Sequence, residues 1–422
     1  MKDFIAELEW RGMLHDATPG VREHLQQART GYIGFDPTAP SMTIGNFVQI
    51  QLLTLFQHCG HTPIVLMGGA TGRVGDPSGK DKERELKSYE ELDHNLRHQV
   101  AQMERFLNFE DGANKAILVN NLDFYRDMNV LTFLRDVGKT LTVNYMSSKE
   151  SVKKRVETGM SFTEFSYQLL QGYDFQCLFK QENCTLQMGG SDQWGNITSG
   201  TEFIRRNLGK KAYAVTTPLL TKSDGTKFGK SEKGNIWLDA ELTSPYDFYQ
   251  FWVRADDADI PKFFRYFTLK QREEVEALEA ELADQPQRLK NMLAEELTVR
   301  VHGQAAFESA QTVSRLLYQK INADTLRSLD TAALKTVSRE VKSFTISRDR
   351  LAAGIPIADL MAEVTDMCKS KGEVRRAIQN NAVAINKQKV SSHETPVSTD
   401  DLLHDKYILV ENGKRNKFIV EV

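Results

Sequence analysis

The sequence predicts an α/β protein whose parallel sheet comes first, followed by a helical region and a small α+β module. Short apolar runs at 31–33, 63–67 and 116–121 alternate with long amphipathic segments, which is typical of a parallel sheet covered by helices. Residues from 244 to about 317 show only helical periodicity. After residue 353, two short helical patterns precede short alternating strands. We therefore expect three consecutive regions along the chain.

Composition excludes several classes of protein. The chain has 422 residues, 40% hydrophobic and 26% charged, which fits two or three globular domains. A net charge of -3 does not suggest a bulk polyanion binder. The four cysteines form no Cys-x-x-Cys pair, so we expect neither a disulfide framework nor a zinc site. Residues 1–10 lack the features of a signal peptide, and no apolar run approaches the roughly 20 residues of a membrane span. We expect a cytoplasmic protein without a membrane partner.

The stretch 31–59 has the pattern of a phosphate-binding unit. An apolar strand at 31–33 leads into the loop from Gly34 to Asn46, and an amphipathic helix follows. A loop between a strand and a helix start binds phosphate well because free N–H groups and the helix dipole point at the ligand. The glycine-rich segment at 68–80 is not a nucleotide P-loop, since its glycine spacing is too short and Asp81 follows Lys80.

Three later segments extend this site. Tyr167, Gln171 and Asp174 are spaced i, i+4 and i+7, so one helix face carries all three. A further strand, glycine loop and helix start lies at 185–196. A glycine- and lysine-rich loop at 222–231 follows the last strand. This order of features suits a nucleoside triphosphate held from two sides, by helix N-terminal donors and by lysines on a closing loop.

Three motifs together resemble bacterial tyrosyl-tRNA synthetases, a family of class I aminoacyl-tRNA synthetases. They are Tyr-x-Gly-Phe-Asp-Pro-Thr at 32–38, Gly-Gly-Ser-Asp-Gln-Trp-Gly-Asn at 189–196 and Lys-Phe-Gly-Lys-Ser at 227–231. The resemblance covers essentially the whole chain in the right order. It implies a Rossmann-like catalytic domain with a dimer-forming insertion at 1–220, a mobile lysine loop and helical domain at 221–325, a linker at 326–352, and an S4-like RNA-binding domain at 353–422.

The resemblance also implies the reaction and the partners. The family attaches L-tyrosine to tRNA(Tyr) in two ATP-dependent steps, through tyrosyl-adenylate with release of pyrophosphate and then transfer to the 3′-terminal adenosine. Mg²⁺ is expected to accompany ATP, bound through the phosphates and without a dedicated protein metal site. The family is homodimeric through its catalytic domain, and residues 129–138 are the expected contact.

The family's two class motifs fall on 43–46 and 227–231. Both histidines of the first motif are replaced here: Asn46 keeps an N–H donor, whereas Thr43 keeps a hydroxyl of shorter reach that cannot be protonated. The match assigns phosphate donors and pyrophosphate cations as the catalytic residues. The donors are Thr38, Thr43 and Asn46, and the cations are Lys80, Arg84, Lys227 and Lys230.

The same match assigns a tyrosine pocket and an ATP site. Tyrosine is expected to meet Tyr32 and Asp174 at its hydroxyl, Asp76, Tyr167 and Gln171 around its amino group, and Gln193 near its carboxylate and the ribose. ATP is expected to meet Gly34, Asp36, Gly45, Gly190, Asp192, Lys230 and Ser231. The helix face derived from spacing alone carries three of these residues, so the two arguments agree.

Two basic clusters are the expected RNA contacts. The match places Lys149, Lys153, Lys154 and Arg155 at the acceptor arm of tRNA, and Lys371, Arg375 and Arg376 in the S4-like module. Two alternatives compete: a non-catalytic RNA-binding protein on a synthetase scaffold, and the class I enzyme for tryptophan. The lysines of the 227–231 motif, with Asp76 and Asp174, favour the tyrosine enzyme.

Overall fold

A computed structural model of the chain describes residues 1–78, 86–149, 152–153, 155–156, 159–226, 228–231, 234–318, 322–413 and 416–422, with 230–231 described in their backbone only. The chain divides into two compact units. Unit 1 comprises Met1–Thr243 and Phe251–Val301, and unit 2 comprises Ser244–Gln250 and His302–Val422.

Unit 1 is built on a six-stranded sheet within the described residues, in the order β1-β6-β5-β2-β3-β4. Strands β2 to β6 pair in parallel, and the short β1 is antiparallel to β6 at one edge. The strands are β1 Asp16–Ala17, β2 Thr30–Phe35, β3 Thr62–Met67, β4 Ile117–Asn120, β5 Cys184–Gly190 and β6 Tyr213–Thr217. A separate antiparallel pair follows, β7 Lys230–Ser231 and β8 Gly234–Asn235.

Helices cover this sheet, and polar residues cap the ones that border the site. The side chains of Thr43, Ser88 and Ser161 accept hydrogen bonds from the first turns of their helices, where backbone N–H groups otherwise lack partners. The α-helices of unit 1 include Phe4–Arg11, Val21–His24, Ile44–His58, Tyr89–Met103, Val130–Thr132, Val143–Ser147, Phe162–Gln181, Trp194–Leu208, Ile260–Phe267, Arg272–Glu281 and Pro286–His302, the last of which ends in unit 2. The helix Pro245–Val253 is shared between the units.

Single helical turns complete the connections of unit 1. A π-helical turn spans Phe133–Gly138, and 3₁₀ turns span Thr71–Arg73, Asn121–Phe124, Ser191–Gln193 and Asp257–Asp259. The core lies between the sheet and its helices, where Ile64 and Leu66 of β3 pack with Phe175, Leu178 and Ile204 of the covering helices. The predicted α/β class with a parallel sheet is confirmed.

Unit 2 contains helices and a mixed sheet in the order β12-β11-β14-β15-β9, in which only the edge strand β9 pairs in parallel among the described residues. Its strands are β9 Lys342–Thr345, β10 Ile355–Pro356, β11 Val383–Ile385, β12 Gln388–Lys389, β13 Pro396–Val397, β14 Tyr407–Asn412 and β15 Asn416–Glu421. The helices are Gln304–Tyr318, Ala323–Arg327, Thr331–Glu340, Arg348–Ala352, Ile357–Asp359 and Lys371–Gln379, with a π-helical turn at Leu360–Val364 and a 3₁₀ turn at Thr399–Asp401.

The segment 326–352, which was expected to be a linker, is structured. It holds the helix Thr331–Glu340 and the strand β9, which pairs in parallel with β15 along 342–345. A four-residue edge strand with one partner carries too little periodicity to be recognised. The small α+β module therefore includes residues before 353, while the other predicted domain limits stay predictions.

Candidate active site

The topology of unit 1 places a cavity at the carboxyl ends of the central strands. From β2 the chain proceeds to β3 and β4 on one side, whereas β5 and β6 lie on the other. Ligands of open parallel sheets bind where the strand order reverses in this way. A cavity of about 240 Å³ lies there. It brings together these predicted site residues: Tyr32, Gly34, Asp36, Thr38, Asn46, Asp76, Tyr167, Gln171, Asp174, Gly190 and Gln193.

The deep end of the cavity combines Tyr32 of β2 with Asp174 of the helix Phe162–Gln181. Both side chains are buried, at 1% relative exposure each. Burial and the charge of Asp174 raise the pKa of Tyr32 well above its ordinary value, so its hydroxyl stays protonated. That hydroxyl has no hydrogen-bond partner among the described residues. A buried, unpaired hydroxyl is costly to a folded protein, so it points to a ligand group that completes it.

Two residues that sequence reasoning missed hold Asp174 in place. The Tyr125 hydroxyl donates to Asp174 Oδ1 at 2.7 Å, and Asn121 Nδ2 donates to Oδ2 at 2.9 Å. Burial raises the pKa of Asp174 to about 7, while these two hydrogen bonds favour its charged form. Asn121 follows the apolar run of β4, where polar residues at a strand end were a usable signal. Tyr125 had no comparable signal, because a lone tyrosine after a strand is common.

Asp36, at the end of β2, anchors a second group of polar contacts. The Tyr167 hydroxyl donates to Asp36 Oδ2 at 2.9 Å, and the Thr71 hydroxyl donates to Oδ1 at 2.6 Å. A Cβ atom on Gly68 would lie 2.0 Å from Asp36 Oδ1, so only glycine permits this approach. Thr71 also accepts from Asn121 at 3.0 Å, which links this group to the deep end.

Asp76 and Gln193 meet on the opposite wall. Gln193 Nε2 donates to Asp76 Oδ2 at 2.8 Å, and the backbone N–H of Ser78 donates to Oδ1 at 2.9 Å. Asn196 donates to the Ser78 hydroxyl at 3.1 Å from the helix that follows β5. Asp76 is buried yet lines the cavity, so its carboxylate is oriented before any ligand arrives.

Three amides of the helix Tyr89–Met103 hold the loop after β2 by its backbone. Asn95 donates to the carbonyl of Pro37 at 3.1 Å, and Gln99 donates to that of Ala39 at 2.8 Å. Gln102 Oε1 accepts from the N–H of Met42 at 2.9 Å. Because these amides are buried, the loop that carries Thr38 is fixed in position.

The first class motif lies at the start of the helix Ile44–His58. Asn46 lines the cavity, whereas Thr43 and Gly45 are not among the lining residues. The N–H of Ile44 donates to the carbonyl of Ile236 at 2.9 Å, and Thr43 forms a β-bridge with Trp237. The motif is thus tied by backbone bonds to the segment that follows the lysine loop.

The lysine loop packs on this motif through Gly229. Its φ is +87°, and a Cβ there would come 2.7 Å from Ile44 Cγ2 and 3.4 Å from the Gly45 nitrogen. The preceding Phe228 is buried, with its ring centroid 5.0 Å from that of Phe263 and 5.5 Å from that of Phe267. The described part of the loop is therefore seated against the start of the helix Ile44–His58.

Several predicted cations cannot be placed. Lys80, Arg84, Lys154 and Lys227 lie outside the described residues, and the side chains of Lys230 and Ser231 do as well. Asp192 is exposed and does not line the cavity, but its carboxylate lies against Gly190, where an added Cβ would be 2.6 Å away.

The residues predicted to contact RNA differ in how far their side chains are exposed to solvent. Lys153, Arg375 and Arg376 are exposed, and Lys149 and Lys371 are half-buried. Lys371 also pairs with Asp359 at 2.8 Å. Arg155 does not fit the prediction, because its guanidinium is buried and pairs with the buried carboxylate of Glu164 at 2.8 Å. A buried charge stays with its partner, so Arg155 supports the fold rather than a surface for RNA.

Comparison with known families agrees with this geometry. The sequence profile described as tRNA synthetases class I (W and Y) matches residues 26–319. The profile of the tyrosine–tRNA ligase SYY-like C-terminal domain matches residues 334–420. A tyrosine–tRNA ligase of Cytophaga hutchinsonii is 52% identical over 425 residues, covering 100% of this chain and 99% of that protein. One of Porphyromonas gingivalis strain W83 is 49% identical, covering 100% of both chains.

The chain belongs to the tyrosine–tRNA ligase family. A solved structure of a C-terminally truncated mitochondrial tyrosyl-tRNA synthetase from Aspergillus nidulans supports the same placement, with a TM-score of 0.67 and 31% identity over 75% of this chain and 95% of that one. The resemblance stated from the motifs is therefore confirmed. The tyrosine–tRNA ligases are class I synthetases, and this chain is an enzyme of that family.

Proposed function

We propose that the protein attaches L-tyrosine to tRNA(Tyr) in two steps. The tyrosine carboxylate attacks the α-phosphate of ATP to give tyrosyl-adenylate and pyrophosphate. The tyrosyl group then passes to the 3′-terminal adenosine of the tRNA. The single observation that carries this proposal is the pairing of a buried acceptor, Asp174, with a buried and unpartnered hydroxyl, Tyr32, in one cavity. Family membership supports ATP as the co-substrate.

The deep end of the cavity would recognise the phenol group of the substrate by hydrogen bonds. Each Asp174 oxygen already accepts one hydrogen bond, from Tyr125 or Asn121, and keeps a lone pair for the phenolic O–H. Tyr32 would donate to the phenolic oxygen. Phenylalanine would leave the carboxylate and the hydroxyl without these partners, so the pocket would reject it.

The middle of the cavity would position the amino acid for attack. Asp76 is a buried carboxylate oriented by Gln193, and it suits the α-ammonium group of the substrate. Tyr167 and Gln171 line the same region. Gln193 is also placed to contact the substrate carboxylate or the ribose. These contacts act through proximity and orientation, which lower the barrier of a reaction that needs no covalent enzyme intermediate.

The phosphate end would stabilise the charge of the pentavalent α-phosphate. Thr38 and Asn46 line the cavity beside the start of the helix Ile44–His58, where the positive end of the helix dipole favours anions. Asp36, Gly190 and Asp192 are proposed for the adenosine. Lys80, Arg84, Lys227 and Lys230 are proposed cations for the pyrophosphate, with Mg²⁺ brought by ATP itself.

RNA binding would use basic residues that are exposed, or half-buried in the case of Lys149. Arg375 and Arg376 lie on the helix Lys371–Gln379 of unit 2, and Lys149 and Lys153 lie in unit 1. The double variant Arg375→Ala/Arg376→Ala should raise the KM for tRNA and leave tyrosine-dependent ATP–pyrophosphate exchange unchanged, because phosphate contacts act only in the second step. Arg350→Ala, another exposed arginine of unit 2, is the control.

Homodimer formation is proposed through the segment 129–138. Val130 and Leu131 are 68% and 73% exposed, and Leu134 is 47% exposed. Contiguous exposed apolar side chains are typical of an interface. Leu131→Glu should shift the mass in solution towards a single chain.

We also propose a cytoplasmic location. No helix among the described residues is long and apolar enough to cross a membrane.

The deciding experiment is tyrosine-dependent ATP–pyrophosphate exchange, followed by charging of tRNA(Tyr). The proposal expects exchange with tyrosine and none with tryptophan. Folded protein without exchange above background would instead support a non-catalytic RNA-binding protein. Exchange with tryptophan alone would support the other class I enzyme.

A further inference from the structure

We infer that Thr43 is a positioning residue, which fixes the amide of Asn46 so that its N–H₂ group faces the phosphates of ATP. This inference rests on the proposed function. The resemblance to the class motif gives Thr43 a direct phosphate contact, but the structure places only Asn46 at the cavity wall. The question is therefore what Thr43 does from its place behind Asn46.

The hydrogen bonds identify which end of the Asn46 amide faces Thr43. The backbone N–H of Thr43 lies 2.9 Å from one terminal atom of the Asn46 side chain. A backbone N–H can only donate, so that atom is the amide oxygen and not the nitrogen. The Thr43 hydroxyl donates to the same oxygen at 2.8 Å. Two donors on one oxygen leave a single orientation of the amide.

That orientation directs the amide nitrogen away from Thr43. No described residue accepts a hydrogen bond from Asn46 Nδ2, although Asn46 is only half-buried and lines the cavity. The group thus has donor capacity on the side where the proposed phosphates lie. A rotated amide would instead present its oxygen, and an oxygen repels phosphate.

Thr43 is itself held in place by the segment after the lysine loop. It forms a β-bridge with Trp237, and its neighbour Ile44 donates to the carbonyl of Ile236. In addition, the N–H of Leu238 donates to the carbonyl of Met42 at 2.9 Å. The orientation of the Asn46 amide is therefore fixed relative to the same stretch of backbone that carries the lysine motif.

This arrangement explains how the motif works without its histidines. A histidine at 43 would need to reach the phosphate with its own ring. Threonine instead supplies a short hydroxyl that serves its neighbour, and asparagine supplies the donor. The pair acts as one unit, so its contributions to the rate should not add.

The test is a double-mutant cycle on full-length protein, read by tyrosine-dependent ATP–pyrophosphate exchange. The variants are Thr43→Val, Thr43→Ser, Asn46→Ala and Thr43→Val/Asn46→Ala. Losing the hydroxyl should lower kcat about three- to tenfold, the usual range for one hydrogen bond, and the serine variant should restore it. The KM for ATP should change by less than about twofold, because a donor that acts in the transition state affects kcat.

The decisive result is the double variant. If Thr43 acts through Asn46, Thr43→Val should cause no further loss in the Asn46→Ala background. An equal loss in both backgrounds would overturn the inference, because Thr43 would then act independently. An unchanged rate in Thr43→Val would overturn it as well.

Helix stability needs a matched control, since Thr43 also caps the helix Ile44–His58. Thr142 caps the helix Val143–Ser147 in the same way and is not among the residues that line the cavity. Thr142→Val should lose a similar part of its thermal stability without lowering kcat. Wild-type protein without tyrosine-dependent exchange would remove the proposed function, and the inference with it. If wild-type protein catalyses the exchange but Thr43→Val causes an equal loss with and without Asn46→Ala, the inference would be overturned and the proposed function would stand.

Discussion

The two ends of the cavity solve different chemical problems. At the deep end, Tyr32 and Asp174 are buried, and Asp174 is held by Tyr125 and Asn121. At the proposed phosphate end, the half-buried Asn46 lies beside the exposed Gly45. A buried, fixed acceptor suits the recognition of one hydroxyl, because an unpaired polar group there is costly. Open donors suit a triphosphate, whose charge changes during the reaction. The variants below test this difference.

The largest effect is expected at the deep end. Asp174→Asn replaces the buried acceptor with a neutral amide that cannot accept from the substrate in the same way. We expect kcat/KM for tyrosine in the exchange assay to fall by about 10- to 150-fold, as for a lost hydrogen bond to a charged group. Asp123→Asn removes an exposed carboxylate paired with Arg126 and should have no effect. Retained activity in Asp174→Asn would show that another residue reads the hydroxyl.

The next effect is expected at the phosphate end. Gly229→Ala adds a Cβ 2.7 Å from Ile44 Cγ2, which displaces the loop from the first motif. We expect kcat to fall about tenfold, because a misplaced loop weakens transition-state contacts. Gly225→Ala is a matched control, since Gly225 has a φ of +80° but nothing within 4 Å of an added Cβ. Equal losses in the two variants would mean that backbone strain, and not the contact, is responsible.

Tyr32→Phe should have smaller effects, lowering activity while raising the stability of the free protein. Removing a neutral donor should lower kcat/KM for tyrosine about two- to tenfold. The free protein should become slightly more stable to unfolding, because its buried hydroxyl has no partner among the described residues. Urea unfolding without ligand measures this. Tyr407→Phe, at a fully buried tyrosine of unit 2, is the control that should leave exchange unchanged. A destabilised Tyr32→Phe would contradict the account.

The last prediction concerns the pH dependence of stability and not a reaction rate. Burial raises the pKa of Asp174 from 3.8 to about 7. Between these values the folded protein binds a proton that the unfolded chain does not bind, so this group makes stability fall as pH rises from about 4 to about 7. The free energy of unfolding of wild type should decrease relative to Asp174→Asn by up to about 1.4 kcal/mol per pH unit in that window. If the free energy of unfolding of the two proteins changed with pH in the same way, the raised pKa of the Asp174 carboxyl would be contradicted.

Sequence reasoning found residues with a chemical signature and missed those that support them. Tyr167, Gln171 and Asp174 were recognised from their i, i+4, i+7 spacing, and all three line the cavity. Asn95, Gln99 and Gln102 have the same spacing and hold the loop after β2 by its backbone, but nothing in the pattern identified them. Their partners are backbone groups, which leave no trace in the sequence.

Two other differences have physical reasons. Arg155 stands in a basic run, yet it is buried with Glu164, nine residues further along the chain, and charge counting does not see such a pairing. The strand β9 is short and lies at a sheet edge, so its four residues gave no alternation to detect. The parallel sheet was predictable because its strands are buried apolar runs followed by glycine-rich loops.

The central claim is that the deep end of the cavity recognises a phenolic hydroxyl by hydrogen bonding. The most direct measurement is the exchange rate of wild-type protein with tyrosine and with phenylalanine, each over a full range of concentrations. The account predicts that kcat/KM for tyrosine exceeds that for phenylalanine by about 100-fold or more, because phenylalanine leaves buried polar groups unpaired. Comparable values for the two amino acids would contradict it.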